Sequence, residues 1–199
     1  MRLIYLGLLL IISVLGAVGV SQPSPWIIAI DAGHGGDDTG GIGIDNVTEK
    51  DIVLQIAHLI AIESVNFPKI KILLTRRDDR YLSPGERLAQ AHGAQVFISL
   101  HLDFSYDPRV RGITVVVPKG AGNPARALAD ALRARVTRAA KTPDLGTKAA
   151  PLWLRRLPIP AVQLHLGFVT NPEEARKLSQ LSYQKRLAQA ILEGIEEFF

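Results

Sequence analysis

The sequence predicts an α/β fold, one layered domain from Trp26 to Phe199. Short apolar runs that read as buried strands alternate with stretches of helical periodicity. Two segments, Ser83-Pro84-Gly85-Glu86 and Asn171-Pro172-Glu173-Glu174, join a capping residue, a first-turn proline and a glutamate three residues past the cap. The chain has 199 residues, 47% of them hydrophobic, enough for one substantial core.

Ile27 to Asp31 reads as the first strand, followed by a glycine-rich loop from Gly33 to Gly43. Ile52, Val53, Ile56, Leu59 and Ile60 then fall at helical spacing over Asp51 to Ser64. Thr48 is the expected N-cap. That places Glu49 in the first turn, where the positive end of the helix dipole favours an ionised carboxylate. Ile70 to Thr75 is a second strand. A helix from Pro84 to about His92 is closed by Gly93, and Val96 to Leu100 is a buried third strand ending at His101. Gly112 to Val117 gives a fourth strand, stopped by Pro118, and Pro124 to Ala140 a basic amphipathic helix. Lys141 to Pro151 reads as a loop, Leu152 to Leu154 as a short strand, and Ala161 to Leu166 as a buried strand carrying His165. Two helices close the chain, the second marked by Leu187, Ile191 and Ile195.

The N-terminus reads differently. Arg2 precedes an apolar stretch from Leu3 to Val20, followed by the polar Ser21-Gln22-Pro23-Ser24-Pro25. This is the pattern of a secretory signal peptide. An uncleaved membrane anchor is the alternative, because about 18 apolar residues just span a bilayer. Residues 1–25 are thus an export segment, residues 26–199 the working domain, and the expected location is the periplasm or cell exterior. The net charge of +4 suits anionic surroundings such as a cell wall, but no dense Lys/Arg run with interleaved aromatics points to nucleic acid. With no cysteine, any zinc site must use histidine and carboxylate ligands.

Candidates for such a site gather at strand ends, where open α/β sheets place their functional groups. His34 follows the first strand inside Asp31-Ala32-Gly33-His34-Gly35-Gly36, Glu49 opens the first helix, His101 ends the third strand, and His165 lies late in the last. Two histidines and an acid can hold one zinc ion with a position left open, as in zinc hydrolases. Asp31 either orients His34 or caps the loop. Arg76-Arg77-Asp78-Asp79-Arg80 reads as a solvated loop, with binding of a substrate carboxylate by Arg76 as the alternative. Trp26 and Trp153 are expected at the core or its edge.

Several segments resemble the zinc-dependent N-acetylmuramoyl-L-alanine amidases of peptidoglycan. They are Ile30 to Gly36, Thr48-Glu49-Lys50-Asp51, Leu74-Thr75-Arg76, Glu86-Arg87-Leu88-Ala89, Phe97 to His101, and Pro160 to Asn171, in family order. The resemblance implies a mixed, mostly parallel sheet flanked by helices on both faces, with zinc bound by His34, Glu49 and His101. It implies hydrolysis of the amide between N-acetylmuramic acid and L-alanine. It also shows departures. His165 stands where the family has its glutamate general base, Asp103 stands where His-x-Asn is usual, and Ala32 replaces a common proline. The long insertion that autoinhibits some relatives is missing after His101.

His165 therefore has three readings: a substitute base, a fourth zinc ligand that closes the site, or the mark of a silent protein that binds peptidoglycan or regulates wall remodelling without cutting. Asp103, Glu173 and Glu174 are the acids that could replace the missing glutamate.

Overall fold

A computed structural model describes residues 24–43 and 46–199. Residues 1–23 of the expected export segment, with its apolar residues 3–20, lie outside the described residues. No helix among those described is long and apolar enough to cross a membrane.

The strands are β1 (Trp26–Ala32), β2 (Ile70–Leu74), β3 (Val96–Asp103), β4 (Ile113–Pro118), β5 (Asp144–Ala150) and β6 (Ala161–Phe168). The helices are α1 (Glu49–Glu63), α2 (Pro84–Gln90), α3 (Asn123–Ala140), α4 (Pro172–Leu178) and α5 (Leu181–Phe198). The strands form one sheet in the order β2-β1-β3-β6-β4-β5. Neighbours run parallel except β6 and β4, which are antiparallel. The mixed, mostly parallel α/β sheet expected from the sequence is thus present.

The two faces carry unequal layers. Ile28, Ile30, Ile98, Leu100, Val115, Val162 and Leu164 pack against α1, α3 and α5 in the main core, where Leu187, Ile191 and Ile195 are fully buried. Burying each such side chain stabilises by roughly 1.5–3 kcal/mol. The opposite face has only a thin cover, in which Ala29, Phe97 and Ala161 meet Ala91, Ala94, Leu154 and Trp153. Side chains alternate along a strand. Asp31, Ser99, His101, Gln163 and His165 therefore share this thinner face, one residue out of phase with the main core. Register fixes the site's frame, pairing His101 with His165 across β3/β6 and Thr114 with His165 across β4/β6.

Both predicted helix starts are built as expected. Ser83 and Glu86 form a reciprocal capping box at α2, and the Asn171 side chain accepts from the Glu173 and Glu174 N–H groups at α4. Thr48 precedes α1 in extended conformation but its hydroxyl donates to Asp51 instead of accepting from the helix. Two expectations fail. The predicted loop Lys141 to Pro151 contains edge strand β5, and the predicted strand at Leu152 to Leu154 is part of a 3-10 turn over Trp153–Arg156. Asp144 to Ala150 lacks the apolar alternation of a buried strand because most of it is exposed, held by ladder bonds to β4 alone.

Candidate metal centre

β1 ends at Ala32 and the chain turns sharply into the glycine loop, with His34 in the left-handed region at φ 59°. For a residue with a Cβ this costs on the order of 1–3 kcal/mol, and it persists only where neighbours hold it. The turn carries the imidazole back over the sheet edge, where Nε2 stands 3.1 Å from Glu49 Oε1. From β3, His101 Nδ1 approaches the same oxygen at 2.9 Å. Donor atoms of His34, Glu49 and His101 all lie within 4.8 Å of one another, a grouping that could hold a metal ion.

The carboxylate between the rings is tightly fixed. Glu49 is 4% exposed and accepts from the Leu102 N–H at Oε1 and the Gly41 N–H at Oε2, each at 2.9 Å. Burial alone would push its carboxyl pKa up. The hydrogen bonds from His101, from His34 and from the Gly41 N–H outweigh that and hold it well below the usual range. His34 is raised, chiefly by its hydrogen bond to Glu49, while burial pushes His101 down. Asp38 Oδ1, 2.9 Å from His34 Nδ1, turns the other nitrogen toward Glu49. Two glycines leave the room this cluster needs. A Cβ on Gly33 would lie 2.4 Å from His101 Cε1, and one on Gly40 would lie 2.6 Å from His34 Cδ2 and 2.7 Å from Glu49 Oε2.

His165 stands beside this group, not within it. Its ring stacks on His101 with centroids 5.7 Å apart. Nδ1 lies 2.8 Å from Asp103 Oδ1, yet the approach is not aligned as a hydrogen bond, and both ring nitrogens are buried without a partner. The hydroxyl of Thr114, its register partner on β4, is likewise buried and unpartnered. The other candidate acids are engaged elsewhere. Glu173 is exposed and paired with Lys177 and Arg111. Glu174 is buried and accepts from the N–H groups of Gly112 and Phe168 and from the Thr142 hydroxyl, so it clips β4 to the end of β6.

Asp31 does not touch His34 in the way either reading of it supposed. One oxygen accepts from Thr75 Oγ1 and Arg87 Nη1, the other from Ser99 Oγ. Arg76 is 2% exposed, so it belongs neither to a solvated loop nor to a substrate subsite. It donates to the carbonyls of Ala32, Gly33 and Lys50, each at 2.9 Å. Arg87, a residue the motif reading left without a role, donates to the carbonyls of Leu82, Ala32 and His34. For Arg76 its place just past an apolar strand was the available signal, whereas Arg87 lies within α2; the targets of both are backbone atoms that no sequence motif names. A cleft of about 170 Å³ opens over His34 and His101, with Tyr81, Trp153 and Gln163 on its far side. A larger cavity of about 420 Å³ lies at the other end of β6, between Pro118–Gly122 and Leu157–Ala161, away from these residues.

Fold and site together define an α/β enzyme domain with a two-histidine, one-glutamate candidate metal centre at its strand ends. The family model for N-acetylmuramoyl-L-alanine amidase matches residues 28–197. A sporulation-specific N-acetylmuramoyl-L-alanine amidase of Bacillus subtilis (strain 168) is 31% identical over 176 residues, covering 86% of this chain and 68% of the relative. The crystal structure of an N-acetylmuramoyl-L-alanine amidase from Clostridium difficile 630 superposes with TM-score 0.84 at 30% identity, over 88% of this chain and 97% of that one. The catalytic domain of the amidase CwlV from Bacillus (Paenibacillus) polymyxa var. colistinus gives TM-score 0.81 at 30% identity, over 87% and 97%. The chain belongs to the N-acetylmuramoyl-L-alanine amidase family.

Proposed function

We propose that this protein is an exported, zinc-dependent amidase that hydrolyses the amide between N-acetylmuramic acid and the L-alanine of the peptidoglycan stem peptide. The observation that carries the reading is the ionised Glu49 carboxylate held between His34 Nε2 and His101 Nδ1. Two imidazoles and a carboxylate are a catalytic zinc donor set that leaves a position open. The glycine cradle at Gly33 and Gly40 keeps side-chain bulk off it. His34, Glu49 and His101 would hold the ion. When bound there, zinc supplies Lewis-acid polarisation of the scissile carbonyl and of the attacking water.

The remaining chemistry is proton movement, and we assign it to His165. Asp103 Oδ1 lies 2.8 Å from Nδ1, and a small reorientation that let it accept from that nitrogen would leave Nε2 as the acceptor. Nε2 takes a proton from the attacking water as its oxygen bonds to the carbonyl carbon. It returns that proton to the alanine nitrogen as the carbon–nitrogen bond breaks. Two of the positions at which the chain departs from the family pattern, Asp103 and His165, touch each other. An imidazole lacks the charge of the glutamate it replaces, and Asp103 brings a negative charge back beside it.

The test is release of stem peptides from purified peptidoglycan by the zinc-loaded protein, with a chelator control, compared with His165→Glu. Chelator-sensitive cleavage by the native chain, with little gain from the glutamate, supports the reading. Cleavage by His165→Glu alone means that the native chain is a silent, wall-binding relative.

A further inference from the structure

Three successive carbonyls where β1 gives way to the glycine loop, those of Ala32, Gly33 and His34, accept hydrogen bonds from side chains. Buried backbone oxygens need donors. Two arginines supply them. Arg76 reaches Ala32 O through Nε and Gly33 O through Nη2, and the same Nη2 also bonds the carbonyl of Lys50, the residue after Glu49. Arg87 reaches Ala32 O through Nη1 at 2.8 Å and His34 O through Nη2 at 2.8 Å. Its Nη1 also bonds Asp31 Oδ1 at 2.7 Å. Asp31 Oδ2 in turn accepts from Ser99, two residues before His101 on β3.

We infer that Arg76 and Arg87 are positioning residues for the metal ligands, gripping the backbone on both sides of His34 and tying it to the segments that carry Glu49 and His101. The inference rests on the metal centre proposed above. Burying two guanidiniums against one carboxylate is expensive unless their hydrogen-bonding capacity is used. Here seven donor contacts go to backbone carbonyls, those above with Asp78 O from Arg76 and Leu82 O from Arg87. A planar, multiply donating fork can hold two carbonyls at a fixed separation, which a lysine ammonium cannot. The held segment contains the one metal ligand with strained backbone, His34 at φ 59°. Without the clamp, the turn can relax toward ordinary dihedrals and swing the imidazole away from Glu49.

The experiment measures zinc affinity by competition with a chromophoric chelator, and ligand geometry by the visible spectrum of the cobalt(II) form. The proteins are wild type, Arg76→Lys and Arg87→Lys. Gln184→Ala serves as the control. It removes a buried side chain on α5 that bonds Gln55 and Leu178 O, so it lowers the thermal midpoint without touching the clamp. Zinc affinity is expected to fall about 10- to 100-fold in each lysine variant, with a changed cobalt spectrum, as for other outer partners of metal ligands. The control should keep both at equal loss of thermal stability.

Lysine variants that bind zinc as tightly as wild type, or that weaken only as far as the control does, overturn the clamp and leave the metal centre standing. A wild type that takes up no zinc overturns both. Should the lysine variants not fold, Arg87→Gln decides. It keeps a planar amide donor but removes the fork that holds Ala32 O and His34 O together, and an unchanged affinity there overturns the clamp, while a several-fold loss supports it.

Discussion

The candidate centre lies between two walls that treat their polar atoms in opposite ways. On the β1 side the Ala32, Gly33 and His34 carbonyls and both oxygens of Asp31 have donors at 2.6–2.9 Å. On the β6 side, three of the five unpartnered buried side-chain polar atoms among the described residues belong to His165 and Thr114. Saturation fixes the ligands, whereas unsatisfied polar atoms in a native interior call for an explanation such as a catalytic role. The ordering therefore matches a division of labour. On the proposed function, the β1 wall would hold the ion, and the β6 wall would keep hydrogen-bonding capacity for the reacting groups.

The largest effect that would break this division is at Glu49. Glu49→Gln keeps the shape but removes the charge that both histidines face. Zinc affinity should fall by more than the about 10- to 100-fold typical of an outer partner, and amidase activity should go with it. Equilibrium dialysis against zinc reads the first and peptide release the second. His165→Ala should leave zinc affinity close to wild type and lower kcat by about 10²- to 10⁴-fold, the range for a lost general base. If it instead releases zinc, His165 is a ligand and the two walls are not distinct. Asp103→Asn, which takes away the charge next to Nδ1, should cost less than His165→Ala and follow it in sign.

How far the sequence reveals these walls differs between them. Local chemistry is readable: the caps at Ser83 and Asn171, and the placing of Glu49 in the first turn of α1, all follow from a few adjacent residues. His34, Glu49 and His101 are readable as a ligand set because each follows or ends an apolar run. The clamp is not. The carbonyls of Ala32, Gly33, His34 and Lys50 that Arg76 and Arg87 bind lie more than 20 residues away, and a carbonyl has no sequence signature. Burial turns what looks like a charged loop at Arg76 into an interior support. The reversed direction of β4 is equally hidden, since Ile113 to Pro118 carries the same alternation whichever way it runs. β5 escapes because an exposed edge strand needs no apolar face.

Acidification probes the β1 wall through His34. The His34 pKa is raised, chiefly by its hydrogen bond to Glu49, so the metal-free protein takes up that proton above pH 6.5. The stabilisation from that pairing is fully present below pH 6.5 and is lost as the pH rises through the folded value. Zinc needs the unprotonated ring, so the metal feels the opposite trend. Affinity should fall as the pH drops through the raised His34 value, by at most about tenfold per pH unit for one displaced proton. His101, lowered by burial, adds no second proton until the pH is below 6.5. Zinc titrations from pH 8 down to 6.5 should thus approach, and not exceed, a one-proton slope. A two-proton slope would mean that His101 is not held neutral by its surroundings.

The smallest effects give the sharpest contrast, because one substitution can be made on both walls. Thr75 Oγ1 donates to the buried Asp31 carboxylate at 2.6 Å, whereas Thr114 Oγ1 is buried with no partner. Thr75→Val leaves a charged oxygen short of a donor and should cost about 1.5–3 kcal/mol of stability. Thr114→Val exchanges an unsatisfied hydroxyl for a methyl of similar volume and should be neutral or stabilising. Urea unfolding of the metal-free proteins measures both. Equal costs at the two positions would mean that Thr114 has a partner in solution, such as an ordered water, and the β6 wall would then be as saturated as the β1 wall. With Thr114→Val neutral and Thr75→Val destabilising, the capacity on the β6 side is free until substrate arrives, and binding of a muramyl peptide should be weakened by Thr114→Val even though the fold is not.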